Sequence, residues 1–211
     1  MVDIVAIILM LASASAPDLI RAAARGDVPR LRSLLKSGAQ VDAVDSTGRT
    51  ALLAATQGNH VEAARLLIEA GADVNKQDQI RDSAFLYAGA AGHLEILKLA
   101  WKAGANTRIT NRYGGVALIP ACERGHVETV EFLLRETDIH VNHVNNLGWT
   151  GLLEAIILSD GGARHQNIVG LLIRHGANVN LADKDGVTPL AHARRRGFEE
   201  IASMLKKAGA R

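Results

Sequence analysis

The chain has 211 residues, a formal net charge of +2 and 22% charged residues; 48% of it is hydrophobic, yet only 3% is aromatic. So much Leu, Ile, Val and Ala excludes a disordered chain. One cysteine excludes a disulfide framework or a Cys-based zinc site, and mixed charge near neutrality gives no general case for nucleic-acid binding.

At the N-terminus, residues 4–11 form an unbroken apolar run, followed by Ala12-Ser13-Ala14-Ser15-Ala16 and Pro17. A short apolar stretch ending in small residues fits a secretory signal with a cut after Ala14 or Ala16, Ala14 being favoured because Pro17 suits a cut site poorly. Met1-Val2-Asp3 lacks the usual Lys or Arg, so the alternative is an apolar helix covering the end of the fold. The run is too short to span a membrane. Residues 1–16 are therefore set apart from a single domain at 17–211.

That domain repeats. Gly38-Ala39, Gly71-Ala72 and Gly104-Ala105 lie 33 residues apart, as do Gly176-Ala177 and Gly209-Ala210. His60, His93 and His126 keep the same period, and so do Glu62, Glu95 and Glu128. The interval from Gly104 to Gly176 holds six extra residues, one within 135–142 and five within 159–163. Six units result, starting near residues 17, 46, 79, 112, 146 and 184, the first and last of them shortened. Each reads as a short helix, a Gly or Asn break, a longer amphipathic helix and a polar turn. One helix pair cannot bury its apolar face alone. Stacking supplies the partner, and the small column Ala55, Ala88, Ala121, Ala155 and Ala193 allows close approach.

The period, with Gly-Ala-Asp-Val-Asn at 71–75, Gly-His-Leu-Glu at 92–95 and Asp-Gly-Val-Thr-Pro-Leu at 185–190, resembles the ankyrin repeat. The resemblance implies an all-α solenoid with β-hairpin fingers projecting to one side, and a concave protein-binding face made by fingers and first helices. A signal-like start before a short array is similar to small exported bacterial ankyrin proteins. By that analogy the chain is periplasmic or secreted, with a role in stress defence; it is cytoplasmic if residues 1–16 are retained. The Thr-Pro-Leu-His element of the family is incomplete in every unit, with Val116 replacing its Thr in the fourth. Arg81 replaces a finger glycine kept at Gly48, Gly114, Gly148 and Gly186.

Several residues invite chemistry. His60, His93, His126 and His165 share one column, one repeat apart, and that spacing predicts a structural role. His140 and His143 form a His-x-x-His without a third ligand nearby in sequence, and Cys122 reads as a small buried residue. A thiol or metal enzyme would need Cys122, His140 and His143 to converge. The Asp160-Gly161-Gly162 stretch lacks the Lys-Ser/Thr of a phosphate loop and reads as an enlarged turn, either a contact site or tolerated drift. Arg194-Arg195-Arg196 reads as a solvated helix end.

The aromatics discriminate further. Phe85, Trp101 and Phe132 occupy core columns, whereas Tyr113 and Trp149 fall in fingers, among Arg49, Ile80, Asp82, Arg112 and Leu147. Aromatics in such places mark binding surfaces. The expectation is a monomeric, non-catalytic module that needs no cofactor and binds a protein partner through these residues. A secreted effector or inhibitor of a host or competitor protein is the other use of the same surface.

Overall fold

The computed structural model describes residues 16–211. The apolar run and the expected cut after Ala14 lie outside the described residues. Twelve α-helices follow, two per unit. Unit one holds α1 (Ala16–Ala24) and α2 (Val28–Lys36), and unit two holds α3 (Ala51–Gln57) and α4 (Val61–Glu69). Next come α5 (Ala84–Ala91) with α6 (Leu94–Lys102), and α7 (Leu118–Glu123) with α8 (Val127–Glu136). The last two pairs are α9 (Gly151–Ile157) with α10 (Ala163–Arg174), and α11 (Pro189–Arg195) with α12 (Glu199–Lys207).

Odd-numbered helices pack on one another in chain order, and even-numbered helices form a second layer behind them. The expected alanine column is wholly buried between the odd helices. Behind it Leu34, Leu67, Leu133, Leu172 and Leu205 are buried on the even helices, each worth about 2 kcal/mol on leaving water. Phe85 belongs to this core, while Trp101 and Phe132 are half-buried and pack against it. Between α6 and α8 the second layer opens into a cleft of about 290 Å³, lined by Leu94, Lys98, Glu131 and Phe132.

Most first helices are capped. The hydroxyls of Thr50, Ser83, Thr150 and Thr188 accept the N–H three residues on, from Leu53, Leu86, Leu153 and Ala191. Val116 has no such hydroxyl, and α7 starts only at Leu118, with no side-chain cap. Val116 is itself buried, which offsets part of the lost bond.

The histidine column ties each unit to the one before it. His60 Nε2 bonds the carbonyl of Ala24 (3.1 Å), His93 Nδ1 that of Thr56 (2.9 Å) and His165 Nε2 that of Glu123 (2.9 Å), while His126 bonds the backbone of Ala90. These carbonyls belong to first-helix C-termini, which have no intrahelical donor left. Gly92 shows how closely the rings approach. It sits at φ +72°, and a Cβ there would come within 2.6 Å of His126 Nδ1.

The fingers are tighter than β-hairpins. Among the described residues the only β pairing is an isolated antiparallel bridge between Val44 and Thr50. Each finger is instead organised by one side chain, Asp45, Asp78, Asn111, Asn145 or Asp183. Its Oδ1 accepts the N–H groups two and four residues on, at 2.9–3.1 Å. Burial alone would raise Asp45, but the bonds from Thr47 and Arg49 outweigh it and bring the carboxyl down to about 2. Arg81 keeps the glycine-like conformation at φ +64°, steadied by Gln77, which donates to its carbonyl.

Candidate functional site

Among the exposed apolar side chains, three stand out by their register. Ile80, Tyr113 and Leu147 are 45%, 56% and 53% exposed, and they occupy the same position in three consecutive fingers. Neighbouring fingers are held in register: Gln79 N–H donates to Thr47 O (3.0 Å) and Asn146 N–H to Tyr113 O (2.9 Å). The tips therefore form a ridge. Thr47 and Asp185 flank it, so the apolar stretch is confined to units three to five.

Beneath the ridge lies a groove of about 440 Å³. Its far wall comes from α5, α7 and α9, through Tyr87, Pro120, Glu123 and Glu154; its near wall is the fingers, through Asp82, Arg112, Tyr113 and Leu147. Arg112 lies over the Tyr113 ring at 4.8 Å from its centre. The Asp82 carboxyl is raised, first by burial and then by Asp78, while Arg112 and Arg124 pull the other way. Arg124 also donates to Ala90 O at 2.9 Å.

Of the seven residues read from sequence, four line this groove: Asp82, Arg112, Tyr113 and Leu147. Arg49 and Ile80 line a neighbouring depression of about 430 Å³ with Asp45 and Gln57. There Arg49 is tied to Asp45 Oδ2 and Gln57 Oε1, both at 3.1 Å. Trp149 lines neither; it is half-buried at the base of its finger, where its N–H meets Asn145.

The residue that sequence reasoning missed is Glu154. It is 5% exposed on α9, and one of its oxygens accepts Asn145 Nδ2 at 2.8 Å. Its carboxyl is raised to about 7, by burial above all and then by the negative charge of Glu123, against the bond from Asn145. A signal was present: its column otherwise holds Arg21, Ala54, Tyr87, Pro120 and His192, so a carboxylate stands there in this unit alone.

Cys122, His140 and His143 are not gathered into a site. Cys122 is fully buried on α7, facing Gly151, and its thiol is raised well above its ordinary range by burial and then by Glu154. His143 is occupied by Gly114 O at 2.7 Å, and His140 is exposed. Among the described residues no group of three or more His, Cys, Asp and Glu is placed to hold a metal ion. The 160–162 turn is drawn onto the last unit. Arg196 donates to Ser159 O (2.7 Å), and a Cβ on Gly161 would come within 2.5 Å of the Phe198 ring. Arg196 is thus anchored, while Arg194 and Arg195 remain exposed. No helix among the described residues is long and apolar enough to cross a membrane.

Comparison with known proteins gives one answer throughout. Residues 19–68 match the family described as ankyrin repeats (many copies), and residues 73–145 and 140–211 match ankyrin repeats (3 copies). An ankyrin repeat protein of Escherichia coli K12, YahD, is 59% identical over 81 residues, which are 38% of this chain and 40% of YahD. The crystal structure of an ankyrin repeat domain from Acinetobacter baumannii superposes with a TM-score of 0.88 at 57% identity, covering 92% of this chain and 98% of that one. The ankyrin repeat domain of Bcl-3, of the IkappaB family, gives 0.82 at 26% identity over 92% and 86% of the two chains. Three lines of likeness thus meet on the repeat the period describes: the chain belongs to the ankyrin repeat family.

Proposed function

We propose that this chain is a non-catalytic, monomeric docking module whose partner protein lies across the fingers of units three to five and into the groove beneath them. Ankyrin repeats are protein-interaction modules in general. The observation that carries the reading for this chain is the ridge of Ile80, Tyr113 and Leu147, three exposed apolar side chains at one repeat position. Exposed apolar groups gathered in one place are a recurrent mark of protein interfaces. Arg112 and Asp82, beside Tyr113, orient the partner. Trp149, half-buried and outside both hollows, is left out of this contact.

Export and work in the periplasm or outside the cell, in stress defence, belong to the same proposal. A cut after Ala14 would leave α1 whole, since that helix starts at Ala16. N-terminal sequencing of the protein recovered from its cells tests this directly, and retention of residues 1–14 would refute it.

Docking is tested by capture from the native compartment, with the wild-type chain and the Tyr113→Ala/Leu147→Ala double variant as bait. Partner recovery should fall at least tenfold with the variant, at an unchanged melting temperature. Equal recovery would remove the finger ridge from the function.

A further inference from the structure

The residues inserted in unit five form a turn on which two other units meet. From the last unit, Arg196 donates to Ser159 O at 2.7 Å and the Phe198 ring lies against Gly161. Arg196 also lies over that ring, 4.9 Å from its centre. From unit four comes the Glu123 carbonyl, which meets His165 Nε2 at 2.9 Å. His165 Nδ1 faces Asp160 Oδ1 at 3.3 Å, and the same oxygen accepts Gly162 N–H at 2.9 Å. His165 is buried at the start of α10, while Asp160 is exposed. Among the described histidines, only this one meets an acceptor with each ring nitrogen. A carboxylate and a carbonyl oxygen can only accept, and a neutral imidazole has a single N–H. Both contacts are therefore hydrogen bonds only when the ring is protonated on both nitrogens. A neutral ring that keeps its bond to Glu123 turns the Nδ1 lone pair on the Asp160 carboxylate.

We propose that the turn at 159–162 is a proton-operated clasp: protonated His165 holds Asp160 and the Glu123 carbonyl at once, and loss of that proton frees Asp160 and loosens the seat of the last unit. The surroundings single out His165 as the group that titrates. Asp160 is held below the ordinary carboxylate range, first by Gly162 N–H, with His165 adding to it. It is thus ionised wherever an imidazole changes charge. Glu123 adds a second carboxylate on α7. Of the cations nearby, Arg196 is bonded to Ser159 O and Arg124 to Ala90 O, and Arg164 is exposed on α10 itself. Among the described residues Asp160 forms an ion pair with His165 and with none of these arginines. His126 on α8 is disfavoured as a cation, first by burial and then by Arg124, His93 and Arg164. The clasp is closed on the acid side of the His165 titration and opens as pH rises through it. The turn then keeps Gly162 on Asp160 and Gln166 on Gly161 O, but it has lost its tie to unit four through the ring. Leu158, exposed at the rim of the groove, directly precedes the turn. The clasp borders the docking face and works whether or not that face holds a partner.

The test is a pH titration of the whole chain by NMR. Ring-nitrogen shifts report the protonation of His165. The nuclear Overhauser contact between Gly161 and the Phe198 ring reports the seat of the last unit. Hydrogen exchange of the Gly162 amide, corrected for its intrinsic pH dependence, reports the turn. As His165 loses its second proton, the Gly161–Phe198 contact should weaken at the same midpoint, and Gly162 protection should fall about threefold, the scale of one partly exposed ion pair. Asp160→Asn is the deciding variant, because the position is exposed and the fold does not depend on its charge. Its amide can accept from a protonated ring or donate to a neutral one. It also keeps an acceptor for Gly162. In this variant the contact and the protection should stay level across the His165 titration. A turn that ignores the His165 titration in the wild type would overturn the clasp. So would the same loosening in Asp160→Asn, which would assign it to another group, or a His165 ring that still carries a single N–H at pH 5.

Discussion

The same 33-residue period produces two faces that handle charge in opposite ways. On the second-helix face, acids and bases pair within their own helix: Arg65 with Glu62, Lys98 with Glu95 and Arg135 with Glu131, at 2.8–3.5 Å. These pairs are three or four residues apart, so each helix settles its own balance in water. On the finger face Arg49 pairs with Asp45 in the same way, but the groove beneath units three to five is less evenly balanced. Glu154 is buried with a like charge for company, and three apolar tips are exposed to solvent. A face that meets only water can be finished from within. The finger face is not finished from within, and this is why the proposed docking surface is put on that side of the stack.

The sharpest way to break the contrast is to remove the side chain that serves both finger and groove. Asn145 accepts the N–H groups of Leu147 and Trp149 through Oδ1, and its Nδ2 satisfies Glu154. Asn145→Ala leaves two backbone donors and a buried carboxyl short of partners. It should destabilise the chain by about 2–4 kcal/mol, read by urea denaturation. A loss under about 0.5 kcal/mol would show that the finger holds without its organising side chain.

Next in size is the effect of pH. Glu154 titrates at about 7 in the fold against an ordinary 4.5. Between those values the folded chain keeps a proton that the unfolded chain has released. The stabilising contribution is complete below about pH 4.5 and is lost as pH climbs to 7 and beyond. Glu154→Gln should match the wild type near pH 4 and exceed it by on the order of 2 kcal/mol at pH 8. Parallel stability curves for the two proteins would show that Glu154 is not strained by ionisation.

Much of this was legible in the sequence, because a repeat states each structural demand several times. The alanine column, the histidine column and the capping Thr or Ser recur in register, and each has one physical task in the stack. Tyr113 and Leu147 were readable for the converse reason, as apolar residues at a position that is polar in other fingers. Trp149 shows where the reading stops. Its place in the finger was clear, but whether a ring turns toward solvent or toward its own hairpin depends on packing in three dimensions. Glu154 was hidden because its meaning comes from Glu123 and Asn145, 31 and 9 residues away in sequence. Pattern alone cannot weigh a carboxylate by neighbours it meets only after folding.

The smallest effect belongs to the outer face. Lys98 Nζ lies 2.8 Å from Glu95 Oε1, but both side chains are exposed, at 37% and 63%. Water and salt screen such a pair, and holding two long side chains together costs rotamer freedom. Lys98→Ala should therefore change stability by less than about 0.5 kcal/mol in low salt, and less still in high salt. It should leave partner capture untouched, because the pair lies on the layer behind the groove. Its effect on capture is the informative result. Capture reduced as far by Lys98→Ala as by the Tyr113/Leu147 variant would mean that the partner reads the second helices too. The partition between a settled face and an open one would then fail, whatever the stability measurement gave.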